Sequence, residues 1–322
     1  MNVPNLHGVR MWVTEGCNAS CHFCLNASDR TDSCMDLSKY KDLCIYFKRY
    51  GFDRIAIMGG EPTIHPDFIS IMEIAQSCFD QVFLFTNALN CKKLFQFIPR
   101  DKDVIIYNAN FANELTKEKL LLSRPGKRVL DVVINHNSKI NILEDSLSRI
   151  IYDYGNSIII QLVIDNKCNI FVEKEPIVRN INQLFKSLSK IPNANIRFEC
   201  NAPICFTEGT DLPVFKQNNM CSPNSVLVDA KYNIRFCNIF TSPILNMFKD
   251  GEIIPFRILE NYVNYAFKQH QLDCLSKICL DCIYYNRLCN GKCYIGQSII
   301  TRNDIEENTN IPWLKHNSNG TK

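Results

Sequence analysis

Apolar positions between residue 8 and about residue 199 fall into short runs separated by longer amphipathic stretches. The runs at 8–14, 54–58, 81–86, 103–108, 128–135, 157–164 and 194–199 have the length of strands. Helix-length stretches lie between them, near 37–50, 66–79, 91–98, 116–123, 142–154 and 176–190. Several strand candidates are continuously apolar, such as SIIIQLVI at 157–164, which predicts burial on both faces of a parallel sheet. Strand–helix alternation of this kind gives an α/β fold with right-handed crossovers. About six repeats are too few for an eight-unit barrel, so the expectation is a partial (β/α)6 TIM-like barrel.

The pattern changes after residue 200. Asn-Ala-Pro-Ile-Cys and Asp-Leu-Pro-Val read as linker, followed by a hairpin-like pair at 226–230 and 233–237 and a helix-like stretch at 256–270. A cysteine-dense segment comes next, and polar residues from Thr301 to Lys322 predict a short helix and a frayed tail. The expected division is a core at 1–199, a cysteine-rich unit at 200–300 and a tail at 301–322.

Composition narrows the function classes. A hydrophobic content of 46% in 322 residues supports a sizeable core. The net charge of +3 with no basic block argues against electrostatically driven nucleic-acid binding. No apolar stretch approaches the roughly 20 residues that cross a bilayer, and MNVPNLHGVR lacks the apolar centre of a signal peptide. The expectation is a soluble cytoplasmic protein without a membrane partner. Seventeen cysteines in such a chain are not a disulfide framework. Cys44 and Cys78 sit in helix-like apolar patterns and read as small buried hydrophobes, as do Cys34, Cys91 and Cys168.

Cys17, Cys21 and Cys24 are spaced C-x3-C-x2-C just after the first strand candidate. A strand cannot aim three successive ligands at one point, because its side chains alternate. A loop containing Gly16, Asn18 and Ser20 can. A closed zinc site or an ordinary iron–sulfur cube takes four protein ligands; three thiols leave one iron of a [4Fe–4S] cluster for a ligand from outside the protein. The alternatives are a zinc knuckle completed by His22, or thiols that bind nothing. Gly59-Gly60-Glu61-Pro62 ends the second strand candidate, where glycines admit close backbone approach and Glu61 can accept from a cationic amine. Two further strand ends carry amides, Phe-Thr-Asn-Ala at 85–88 and Tyr-Asn-Ala-Asn at 107–110. Asn87, Asn108 or Asn110 could contact a cofactor or substrate, or simply form turns. His136 either approaches the site or caps a strand, and His65 belongs to the loop entering the second helix. No general acid–base pair stands out.

C-x3-C-x-(aromatic)-C followed by Gly-Gly-Glu resembles the radical S-adenosylmethionine (SAM) enzymes. The resemblance implies that Cys17, Cys21 and Cys24 hold three irons of a [4Fe–4S] cluster while the amine and carboxylate of SAM chelate the fourth. It implies that Gly60 and Glu61 meet the methionyl amine and that Phe23 lies near the adenine; Gly59, Asn87 and Asn108 are the further candidates for cofactor contact. It also implies an electron donor such as flavodoxin or ferredoxin. The cofactor would supply a 5′-deoxyadenosyl radical that removes a substrate hydrogen atom.

Cys274, Cys279, Cys282, Cys289 and Cys293 form a second metal signal, with zinc as the plain alternative. The array resembles the SPASM or twitch extension of the same enzymes, which implies one or two auxiliary [4Fe–4S] clusters. Cys221 and Cys237 match its hairpin pair, and Cys279, Cys282, Cys289 and Cys293 match its array. The departures are a gap of six residues where the family has five, Tyr232 where the hairpin has glycine, and no cysteine after Cys293. Cys274 and Cys205 are the candidates to complete a second cluster.

Relatives with this extension modify peptides or proteins, by thioether or carbon–carbon crosslinks, oxidation or epimerisation. The expected substrate is therefore a peptide or protein; because Cys17 lies so near the start, a separate recognition protein is a candidate partner. The alternatives are radical chemistry on a small molecule or nucleotide, and a zinc-stabilised binding protein without catalysis.

Overall fold

The computed structural model describes residues 6–24, 30–110, 116, 119–165, 174–198, 225–235 and 245–273. Its main element is a sheet in which β1 (Gly8–Thr14), β2 (Arg54–Gly59), β3 (Gln81–Thr86), β4 (Val104–Asn108), β5 (Lys127–Ile134), β6 (Ile158–Ile164) and β7 (Ile196–Phe198) follow one another in chain order. Every neighbouring pair among them is parallel. Helices α1 (Leu37–Arg49), α2 (Phe68–Cys78), α4 (Ile140–Tyr154) and α5 (Lys174–Leu188) make crossovers, with a short α3 (Cys91–Leu94) between β3 and β4.

Local chemistry sets these elements. Asp36 caps α1 by accepting the Lys39 N–H at 3.0 Å, and Lys48 and Arg49 end it, favourable charge at a helix C-terminus. Its buried residues Tyr40, Leu43, Cys44 and Phe47 recur at three- and four-residue steps, giving one apolar face. That face and those of α2, α4 and α5 pack on one side of the sheet, against Met11, Ile55, Leu84, Ile105, Leu130 and Ile160 among others.

The opposite, inner face is less covered. β6 alternates buried with half-buried residues instead of burying both faces, contrary to the expectation from its apolar run. Val104, Ile106 and Val129, with Phe83, Phe85 and Ile159, make a smaller apolar group there.

Two predicted helices shrink. Residues 119–123 form turns rather than part of a helix over 116–123, and the stretch at 91–98 is helical only over α3. Asn90, which precedes α3, turns its side chain to the Thr63 carbonyl at 2.9 Å and gives the helix no side-chain cap. Cys44 is buried as expected, and Cys78 packs partly buried on the core. Cys34 is exposed, contrary to the buried reading, with its thiol donating to Thr14 Oγ1 at 3.3 Å.

The chain after residue 200 returns to the same sheet. β8 (Ser225–Val228) pairs in parallel with β1, Gly8 opposite Ser225, and turns back through β9 (Asn233–Arg235) to β10 (Leu245–Asn246). A small ribbon of β11 (Phe248–Lys249) and β12 (Glu252–Ile253) leads into α6 (Phe256–Asp273). Buried Asp229 shapes the β8–β9 hairpin by accepting the N–H groups of Lys231 and Asn233, both at 2.9 Å, and the Arg235 Nε at 2.9 Å. The hairpin grips both flanks of the cysteine loop: Lys231 pairs with Glu15 at 3.4 Å, and Tyr232 Oη accepts the Asp36 N–H at 2.8 Å.

Cys168, Cys205, Cys221, Cys237, Cys274, Cys279, Cys282, Cys289 and Cys293 lie outside the described residues, as does 301–322. No helix among the described residues is long and apolar enough to cross a membrane.

Candidate functional site

The C-terminal ends of β1 to β6 bring the singled-out residues to one rim. β1 feeds the loop of Cys17, Cys21 and Cys24. β2 ends in Gly59-Gly60-Glu61, β3 in Thr86-Asn87 and β4 in Asn108. Substrates and cofactors of parallel α/β sheets sit at this end.

The glycines are there for want of space. A Cβ on Gly60 would lie 1.9 Å from the Gly16 carbonyl oxygen, and one on Gly59, where φ is +146°, 2.2 Å from that of Thr14. The strand ends interlock at this contact: Gly60 N–H donates to the Thr14 carbonyl at 2.8 Å and Glu61 N–H to Gly16 at 2.9 Å. The turn after β2 thus splints the base of the cysteine loop.

Glu61 is almost fully buried. Its Oε1 accepts from Thr63 N at 3.1 Å, Thr63 Oγ1 at 2.6 Å and Thr86 Oγ1 at 2.8 Å; among the described residues Oε2 accepts only the Asn87 N–H, at 2.7 Å. Burial pushes its carboxyl above the ordinary value, and the four hydrogen bonds pull it part of the way back. Oε2 keeps room for a second donor. Asn87 also sends Nδ2 to Asn18 Oδ1 at 2.8 Å and to within 4.0 Å of Cys17 Sγ.

Asn108 Nδ2 lies 3.7 Å from Cys21 Sγ, while its Oδ1 accepts both the backbone N–H (3.0 Å) and the side-chain amide (2.8 Å) of Asn110. Asn108 therefore faces the loop and Asn110 orients it. Arg30 donates through Nη2 to Cys24 Sγ at 3.1 Å and through Nη1 to the Ala19 carbonyl. Each of the three thiols so has an N–H donor beside it. All three are free and partly buried. Burial raises Cys17, and burial together with the neighbouring thiols raises Cys21. Among the described residues no three His, Cys, Asp or Glu side chains are closed to the spacing of a metal site. The donor set nevertheless fits a thiolate-held cluster, since N–H groups directed at sulfur are what such ligands use.

His22 points away from the zinc-knuckle reading. Its Nε2 meets Asn135 Nδ2 at 3.1 Å, and the same Nδ2 reaches Asp165 Oδ2 at 3.1 Å. Asn135 Oδ1 accepts the Asn137 N–H at 3.0 Å, which fixes the amide so that Nδ2 is the group facing His22. Buried Asn135 and Asp165, at the ends of β5 and β6, were missed from sequence, although Asn135 adjoins His136. His136 itself is exposed beside Asn137. His65 is buried in the loop before α2, with Nε2 3.0 Å from the Met35 carbonyl and Nδ1 accepting the Asp67 N–H. Phe23 packs edge-to-face on His22 at 5.1 Å. Below the rim, one register row on the inner face holds Asn108, Asp131, Gln161 and Arg197 on successive strands, and Gln161 donates to Asp131 at 2.9 Å.

Residues 11–120 match the family model of the Radical SAM superfamily. That stretch holds Cys17, Cys21, Cys24, Glu61, Asn87 and Asn108. The chain is 30% identical to the molybdenum cofactor biosynthesis protein moc-5 of Caenorhabditis elegans over 118 residues, 34% of this chain and 19% of that protein. It is 38% identical to the GTP 3′,8-cyclase of Haemophilus ducreyi over 69 residues, 20% of each chain. The match thus spans about a fifth of the length of each curated relative. In fold it is similar to Streptococcus suis SuiB bound to S-adenosylmethionine, with a TM-score of 0.65 at 15% identity over 91% of this chain and 74% of that one. SuiB bound to the precursor peptide SuiA gives 0.65 at 14% identity, over 91% and 72%.

Proposed function

We propose that this chain is a radical SAM enzyme. Cys17, Cys21 and Cys24 would hold a [4Fe–4S] cluster, and SAM would lie between that loop and Glu61. Bound together, cluster and cofactor supply reductive cleavage to a 5′-deoxyadenosyl radical, with flavodoxin or ferredoxin as the class of electron donor. The observation that carries the reading is Asn87, whose backbone meets Glu61 Oε2 and whose side chain meets the cysteine loop at Asn18. With the Glu61 N–H on the Gly16 carbonyl, that residue holds the thiol loop against the acceptor for an amine. Oε2, which accepts one hydrogen bond among the described residues, would take the amine, Gly60 lets the backbone close without a side chain, and Asn108, beside Cys21, would contact the cofactor or substrate.

The substrate we infer is a peptide or protein segment, modified by crosslinking, oxidation or epimerisation. The likeness to SuiB across 91% of the chain supports this reading, because that fold accommodates a precursor peptide. The inner-face row of Asn108, Asp131 and Gln161 adds amide and carboxylate groups suited to backbone amides. Cys221, Cys237, Cys274, Cys279, Cys282, Cys289 and Cys293 would carry one or two auxiliary clusters, in a unit at 200–300 following a core at 1–199. A second reading, chemistry on a nucleotide, is favoured by the sequence match to GTP 3′,8-cyclase.

Anaerobically reconstituted protein, reduced in the presence of SAM, is expected to release 5′-deoxyadenosine, and Cys17→Ala to release none. Equal release by both would sink the proposal. Deuterium carried into 5′-deoxyadenosine from a labelled peptide, and not from labelled GTP, separates the substrates.

A further inference from the structure

Arg30 has no part in the reading from sequence, yet it is the cation set among the three thiols. Its fork bridges two points of one loop, the Ala19 carbonyl and Cys24 Sγ, the latter at 3.1 Å. Its Nε is buried and has no hydrogen-bond partner among the described residues. The five donors of a guanidinium lie in one rigid plane, so occupying two of them on the loop fixes where the third points.

We propose that Arg30 is a positioning residue for the cluster that the three-thiol loop would hold: it pins Cys24 to the loop at Ala19, and its fixed positive charge raises the cluster's reduction potential. The inference rests on the radical SAM reading. Its physical basis is that reduction adds negative charge to the site. A cation and an N–H donor at a ligating sulfur stabilise the reduced form more than the oxidised one. The pinning has a separate basis, since a loop closed by both a thiol contact and a carbonyl contact loses less freedom when its ligands are captured.

Reconstituted wild-type, Arg30→Gln and Arg30→Lys proteins are compared by iron content, thermal melting and an EPR-monitored redox titration of the SAM-responsive signal. If wild type holds no iron and shows no SAM-responsive signal, the radical SAM reading itself fails. If wild type behaves as expected, Arg30→Gln should need a lower potential, with the reduced fraction at fixed potential down about tenfold, which is 59 mV for one electron. Arg30→Lys, which keeps the charge without the fork, should recover most of that shift. A potential in Arg30→Gln equal to that of wild type overturns the proposal. Loss of iron from Arg30→Gln alone, with unchanged melting, supports it through the charge, and loss from both variants supports it through the pinning. Loss of iron together with a collapsed melting point overturns it, since Arg30 would then be a residue of the fold.

Discussion

The backbone N–H of Asn87 donates to Glu61 Oε2 at 2.7 Å, so two strand ends that are 26 residues apart in sequence are joined at one carboxylate. The side chain of Asn87 is free to do something else, and it bonds Asn18 in the cysteine loop at 2.8 Å. These two jobs separate by mutation. Asn87→Ala keeps the backbone bond and loses the tie to the loop, together with the turn bond in which Asn87 Oδ1 accepts the Leu89 N–H at 2.9 Å. We expect unfolding free energy to change by about 1 kcal/mol or less. Iron retention or 5′-deoxyadenosine release should fall about tenfold, the scale of losing a group that orients a ligand. Urea unfolding of the apoprotein and product assays on the reconstituted protein check the two halves.

The glycines of the second strand end answer to sterics alone. Gly60→Ala sets a Cβ 1.9 Å from a backbone oxygen, and Gly59→Ala sets one at 2.2 Å with an unfavourable φ besides. Neither neighbour is a flexible side chain that can swing aside. Each is expected to cost more than about 3 kcal/mol. Gly51→Ala is the control: φ is +82° there, but nothing lies within 4 Å, so only the left-handed conformation is penalised, at about 1–2 kcal/mol. Equal losses at Gly51 and Gly60 in chemical denaturation would remove the steric argument.

At the opposite end of the strands, Asp103 is buried and accepts from Gln76 Nε2 (2.8 Å), Arg100 N (2.8 Å), Arg100 Nη2 (2.9 Å) and Val82 N (3.2 Å). Burial raises its pKa, but the bonds from Arg100 and Gln76 outweigh it and hold the carboxyl below its ordinary value. With the folded value depressed, the stabilisation is present above the unfolded pKa and disappears as pH falls through the folded one. Asp103→Asn should cost about 2–3 kcal/mol near neutral pH and flatten the acid side of the stability profile. An acid-unfolding curve as steep in the variant as in wild type would contradict this.

Much of this architecture was legible in the sequence, for reasons that differ by element. The strands of the core end within a residue or two of their apolar runs, because a run such as VIIY at 104–107 has one way to be buried. The cysteine loop and Gly-Gly-Glu were legible because their spacing has few other uses. The inner face was not: β6 is apolar but for Gln161, and its alternation of buried with half-buried residues shows only in the folded sheet. Arg30, Asn135 and Asp165 were invisible for another reason. A single arginine six residues beyond Cys24, or a carboxylate 30 residues beyond an asparagine, carries no periodic signal; only the folded rim makes them neighbours.

Two residues with a Cβ lie in the left-handed region on either side of the site, Ala88 at φ +56° and Tyr232 at φ +67°. A Cβ there costs about 1–2 kcal/mol, yet the two residues are tolerated for different reasons. Ala88 is buried in the core, so Ala88→Gly would give up a methyl worth about 0.8 kcal/mol and add about 0.5–1 kcal/mol of backbone freedom to the unfolded chain. Those losses nearly cancel the relief, and stability should stay within about 1 kcal/mol of wild type. Tyr232 does more with its side chain. The hydroxyl accepts the Asp36 N–H at 2.8 Å, the ring packs edge-to-face on Phe248 at 5.1 Å, and Lys39 Nζ lies 5.0 Å above it. Tyr232→Gly relieves the same strain but loses all three contacts, and with them the hold of the hairpin on the residue that caps α1. It should destabilise by more than about 1 kcal/mol. Denaturant unfolding of the two variants side by side decides the matter, and a Tyr232→Gly protein as stable as Ala88→Gly would mean that the hairpin does not hold the helix start.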